Sequence, residues 1–197
     1  MFRAVISKQR PVAALVSVCA LVFACCVSRM ATAVSAADPP VTAGLKLRLD
    51  IGETAAAEGW KPDTTVSQLP AITSAALTFR VGEQSQQPRA VQAGGGWVLR
   101  FDGENDNLRA VGTGLSAQSV TLFLVAAPHG NAGDFRGLFA ANAADGRDYE
   151  TGLTVDLGPG PGGALDQLNV EGRGFGGAVD LLNSKQPFGQ LQIIEVA

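Results

Sequence analysis

The feature that most restricts what this chain can fold into is a recurrence of short apolar runs, each stopped by Gly, Pro, Asn or Asp. No stripe of 3.6-residue period runs long enough for an amphipathic helix, and no internal repeat or charge block interrupts the pattern. Short runs at this spacing predict an all-β protein, an antiparallel β-sandwich. Leu45, Leu47, Leu49 and Ile51 alternate with Lys46, Arg48 and Asp50, which predicts a half-buried opening strand. Trp97, Leu99 and Phe101 form a second inward set, and Leu77–Val81 is the clearest strand in the Ala-rich stretch 54–87. There, 55–58 has room for one helical turn before Gly59 and Pro62 stop it. Val120–Ala127 is apolar on both faces and predicts a strand in the middle of a covered sheet. Leu153, Val155 and Leu157, the turn Gly158–Gly163, and a strand within Leu165–Val170 predict a hairpin.

The N-terminal segment has a different composition. Met1–Ala36 holds Arg3, Lys8, Arg10 and Arg29, no acid, and every Cys and Met of the chain. Its order is a basic head, the uncharged 18-residue run Pro11–Ser28, and small residues. That is the order of a secretory signal, with cleavage after Ala36 and Ala33 or Ala37 as alternative sites. A retained anchor helix and a lipoprotein box at Val22–Cys25 are the other readings. Asp38–Thr42 reads as a linker, so the chain divides into a signal peptide (1–36), a linker (37–42) and one β-sandwich domain (43–197). The 161 residues after Ala36 carry 11 basic and 18 acidic side chains, a net charge of −7, and all 24 Gly. An acidic chain without sulfur is a poor partner for nucleic acid, and it excludes disulfides, thiolate metal sites and a Cys nucleophile. Export to the periplasm, cell surface or medium follows, with no stable membrane span after cleavage.

The segment WVLRFDGENDNLRAVGTGLSAQSVTLFLVAAP, Trp97–Pro128, resembles the laminin-G-like branch of the concanavalin A-like lectin and glucanase superfamily. The resemblance rests on an apolar strand ending in Phe101-Asp102-Gly103, a polar turn, and the strand around Thr121-Leu122-Phe123-Leu124-Val125. Gly44–Asp50 is similar to the family's opening strand, and Arg136–Ala140 and Tyr149–Leu153 to its next two strands. What the resemblance implies is a jelly-roll sandwich that binds glycans, in some members through calcium, or other proteins. The family continues beyond a strand such as Gly189–Val196 into a closing hairpin, whereas this sequence stops at Ala197. The expectation is therefore a sandwich incomplete at its C-terminus, with an unpaired last strand and self-association through that edge.

Candidate chemistry is sparse. The family's glycosidases place two Glu around an Asp on one strand; Glu104-Asn105-Asp106 begins that pattern without a second Glu, and Asp148-Tyr149-Glu150 lacks a third carboxylate. Asp102, Glu104 and Asp106 alternate as calcium ligands do, but Asn107 and Thr113 occupy the sixth and twelfth loop positions, where Gly and Glu belong. A tight turn in which Asp102 binds backbone amides accounts for the same spacing. His129, the single histidine, sits between Pro128 and Gly130 in a loop, and Gly172–Gly177 reads as a glycine loop with no helix behind it. Trp60, between Gly59 and Lys61, is the aromatic best placed to stack on a sugar, and packing over the end of the sandwich is its alternative. The reading is an exported, non-catalytic module for glycans or other surface components, with no cofactor except calcium where Asp102, Glu104 and Asp106 hold it. A glycoside hydrolase of the same fold and a structural fragment of a larger surface protein are the alternatives.

Overall fold

A computed structural model describes residues 4–7, 43–178, 180–182 and 184–197. The apolar run of the expected signal, its expected cleavage site and the expected linker 37–42 lie outside these residues. The strands are β1 (Ala4–Ser7), β2 (Thr64–Thr65), β3 (Gln68–Ala71), β4 (Ser74–Arg80), β5 (Arg89–Ala93), β6 (Gly96–Arg100), β7 (Leu122–Ala126), β8 (Gly137–Ala141), β9 (Leu153–Asp156), β10 (Asn169–Gly172), β11 (Phe175–Ala178) and β12 (Gln192–Val196). Two short helices, α1 (Ile51–Glu58) and α2 (Asp148–Thr151), interrupt them. The strands form four antiparallel sheets, ordered β1-β12-β7, β11-β10-β9-β8, β2-β5-β6 and β3-β4.

One hydrophobic cluster draws on the first two sheets. Val155, Leu157, Leu165, Leu168 and Val170 from the β9–β10 region meet Ile194 and Val196 of β12, all buried. A β9–β10 hairpin forms, with Val155 opposite Val170 and Asp156 opposite Asn169, but its connection runs over 157–168 and its second strand begins at Asn169 rather than at Leu165. Gly172–Gly177 is part of a second hairpin: Gly172 pairs with Phe175 across the turn Arg173-Gly174, so the stretch is mostly strand. Gly152 and Gly172 are needed for close packing of backbones. A Cβ on Gly152 would overlap the Ala141 carbonyl, and one on Gly172 the Gly152 carbonyl.

Several expectations are corrected. Leu45–Asp50 forms no strand, and Ile51 opens a helix. The reason is Asp50, whose Oδ1 accepts from the Glu53 amide (3.0 Å) and caps α1. Arg48 braces that end, with its Nη2 2.7 Å from Glu53 Oε1 and 3.1 Å from Asp50 Oδ2. Gly59, at φ 63°, ends the helix as a left-handed cap. The apolar alternation survives as an extended segment tied to the β3–β4 turn by hydrogen bonds from Ile72 N to Arg48 O (2.9 Å), Arg48 N to Thr73 Oγ1 (3.2 Å) and Thr73 Oγ1 to Lys46 O (3.5 Å). β7 is an edge strand, and Phe123 (63% exposed) and Val125 (69%) face outward, so it is not the covered central strand its composition suggests. Tyr149–Thr151 belongs to α2 rather than to a strand. The last strand is not unpaired: β12 runs between β7 and β1, with Ile6 opposite Ile194. Among the described residues no helix is long and apolar enough to cross a membrane.

Candidate functional site

The sheet β2-β5-β6 builds the polar concavity of the molecule. Its hairpin turns on Gly94 and Gly95, at φ 60° and 83°, both in the left-handed region that a two-residue primed turn requires. That turn fixes the register: Ala93 faces Gly96, Gln92 faces Trp97, and Arg89 faces Arg100. Ala90, fully buried, and Leu99 share one face with Trp97, whereas Arg89 and Arg100 project from the other. Trp97 and Leu99, expected inward in the core, are only half-buried, and Phe101 lies beyond the strand and is exposed. β2 extends the row, because Thr65 pairs with Arg89. Thr65, Arg89 and Arg100 therefore stand side by side across three strands.

Above this row lies a cleft of about 440 Å³ lined by Thr65, Gln84, Ser85, Gln87, Arg89, Arg100, Asp102 and Asp106. The single 3-10 turn Gln84–Gln86 supplies one wall, and the turn after β6 supplies the other. In that second wall Asp102 Oδ1 accepts from the amides of Glu104 (2.8 Å), Asn105 (3.2 Å) and Asp106 (3.4 Å), and Asp106 Oδ2 accepts from the Asp102 amide (2.9 Å). These bonds, that from Glu104 foremost, hold the Asp102 carboxyl below the usual carboxylate range. Asn107 follows, its amide donating to Gln86 O (3.1 Å) and tying the two walls together. Its side-chain Oδ1 is buried and has no hydrogen-bond partner.

Neither the Arg89 nor the Arg100 guanidinium has a hydrogen-bond or ion-pair partner among the described residues. A second, smaller cleft of about 280 Å³ lies over the Gly94–Gly95 turn, between Gln92 and Trp97. It is built largely of glycine backbone and carries no charged group.

The structure brings Asp102 and Asp106 to the larger cleft and leaves the other predicted residues elsewhere. Glu104 is exposed on the turn and does not line the cleft. Trp60 is half-buried behind α1, its amide donating to Ala55 O (3.0 Å), and lines neither cleft. His129 is an exposed loop residue. Asp148 and Glu150 lie on α2, where Arg147 Nη1 is 2.8 Å from Tyr149 Oη and 3.4 Å from Glu150 Oε1. Among the described residues no three His, Cys, Asp or Glu side chains converge to hold a metal ion.

The residues that sequence reasoning missed are Arg89, Arg100, Thr65, Gln84, Ser85 and Gln87. A signal for the arginines was present, since a hairpin turning on Gly94-Gly95 pairs residues whose numbers sum to 189. The glutamines had no comparable marker. Comparison of the chain with family models, curated proteins and solved structures finds no match, so the site stands on its own geometry.

Proposed function

We propose that the chain is an exported, non-catalytic binding module of the laminin-G-like, concanavalin A-like kind, and that it holds a glycan at the β2-β5-β6 cleft. The lining of that cleft carries the reading. Adjacent sugar hydroxyls each offer a donor and an acceptor, and planar amides, guanidiniums and carboxylates pair with them two at a time. Gln84, Gln87, Arg89, Arg100, Asp102 and Asp106 supply those groups around one open concavity. A catalytic role is disfavoured by the same carboxylates. A glycosidase acid needs a raised pKa. Asp102 is held low, chiefly by the Glu104 amide, and one oxygen of each Asp is engaged by the turn's own backbone.

Affinity electrophoresis in gels containing soluble xylan, β-glucan or galactan tests the reading, with reducing-end release measured in parallel. Retardation of the wild-type chain by at least one polysaccharide, weakened in Gln87→Ala and without release of reducing ends, is the expected result. Unretarded migration in every gel, or turnover that disappears in Glu104→Gln or Glu150→Gln, would overturn it.

A further inference from the structure

The arginine row narrows the class of ligand. Arg89 and Arg100 are directly opposed on neighbouring strands. Their Cα atoms are therefore roughly 4.5–5.5 Å apart, with both side chains on one face. Like charges directly opposite one another destabilise a sheet, and such pairs normally acquire a counter-charge. Among the described residues neither guanidinium has an ion-pair partner. The two carboxylates on the cleft are turned to the amides of their own turn, and no guanidinium pairs with them. A local rule broken without internal compensation is characteristic of a binding site.

We propose that Arg89 and Arg100 together receive the carboxylate of an acidic sugar, a uronate carried on an otherwise neutral glycan. The proposal rests on the glycan-binding reading and adds the ligand's charge to it. The guanidinium fork matches a planar carboxylate bidentately, and two forks side by side offer donors to both oxygens. Thr65 extends the same row with a hydroxyl, and Gln84 and Gln87 face the sugar's own hydroxyls from the opposite wall. The charge on the ligand is limited from the other side. Asp102 and Asp106 flank the cleft, and the chain after Ala36 carries net −7, so a densely sulfated glycan or a phosphate dianion meets added repulsion. A single carboxylate offsets one of the two arginine charges and meets less of that repulsion than a dianion does.

Isothermal titration of the full chain tests this with three probes: a neutral xylo-oligosaccharide, the same oligosaccharide bearing one glucuronate branch, and the methyl ester of that glucuronate. The acid is expected to bind at least tenfold tighter than its ester, and tighter at 50 mM than at 300 mM NaCl. Arg89→Gln and Arg100→Gln should each bring the acid-to-ester ratio close to one. Both arginines are exposed, and each substitution relieves the like-charge pair, so the melting temperature should stay or rise; that separates lost binding from lost folding. Equal binding of acid and ester would overturn the carboxylate preference and leave the glycan reading standing. An acid preference untouched by both substitutions would place the carboxylate elsewhere and overturn the assignment. If none of the three probes binds and no polysaccharide retards the chain in the gels, both readings fall.

Discussion

Asp156 and Asn169 are a buried polar pair on the face of β9 and β10 opposite Val155 and Val170, and replacing one of them should be far more damaging than its surface-like composition suggests. They face each other on β9 and β10, each only 2% exposed. Asp156 Oδ2 accepts from Asn169 Nδ2 (3.0 Å), and Asp156 Oδ1 accepts from the Gly158 amide (2.7 Å) at the start of the glycine–proline loop. Asp156→Ala strands both donors without water. An orphaned buried group costs about 1–3 kcal/mol, so the variant should lose about 2–6 kcal/mol. That is a large share of a margin of about 5–15 kcal/mol. At about 2–4 °C per kcal/mol for a chain of this size, the melting temperature should fall by roughly 4–24 °C. Asp156→Asn should lose less than half as much, because one oxygen still serves Gly158 and Asn169 can turn its amide to receive the new NH₂. The double variant Asp156→Ala/Asn169→Ala should lose less than the two single losses combined, by about 1–3 kcal/mol, since it leaves no side-chain amide unpaired. Urea and thermal melts of the four proteins measure this cycle. A neutral Asp156→Ala, or strict additivity, would refute the reasoning.

Three further outcomes follow from specific contacts. Gly152→Ala should prevent β8 and β9 from pairing, because its Cβ meets the Ala141 carbonyl and both strands would have to move; loss of the cooperative melt is expected, and a native-like melt would contradict the close approach. Cleavage after Ala36 would remove β1 and open the β12 edge. A second copy paired antiparallel about Ile194 would put Ile194 in place of Ile6, Ile193 in place of Val5 and Glu195 in place of Ser7. Light scattering should therefore find the chain from Ala37 dimeric and the chain from Met1 monomeric, and a monomeric processed chain would contradict the strand exchange. The lowered pKa of Asp102 means that its support of the 102–106 turn is complete above about pH 4 and is lost as pH falls through the folded value. An NMR titration of the Asp102 carboxyl should give a midpoint below that of the same residue in an unstructured peptide; equal midpoints would remove the amide cap.

What was legible in the sequence was pairing set by local chemistry. The β9–β10 hairpin is announced by Gly and Pro between two apolar runs, and the Asp102 turn by a short polar side chain followed by Gly103 and Asn105. The failures have physical causes as well. Leu45, Leu47 and Leu49 carry a genuine two-residue period, but Asp50 followed three residues later by Glu53 is a helix-start signature. Phe123 and Val125 look like core by composition, yet their exposure depends on which sheet covers β7, and that is decided by strands distant in sequence. Thr154 and Asp156 alternate with apolar residues as a wet face would, but both are buried, and whether a sheet face is covered is not encoded in the alternation of one strand. The candidate cleft joins a 3-10 turn, two strands of a hairpin, a third strand and a turn. Of these the Asp102–Asp106 segment was marked by its own residues, and the arginine pair only through the Gly94-Gly95 turn between them.

The central claim, that the β2-β5-β6 cleft binds a glycan without cleaving it, is tested most directly by an NMR titration of the ¹⁵N-labelled chain with the glucuronate-bearing xylo-oligosaccharide. Saturable shifts confined to Thr65, Gln84–Gln87, Arg89 and Arg100–Asp106, with the oligosaccharide's own spectrum unchanged after prolonged incubation, are the predicted result. Shifts centred on Trp60 or Tyr149 instead, or new anomeric signals from a shortened sugar, would contradict it.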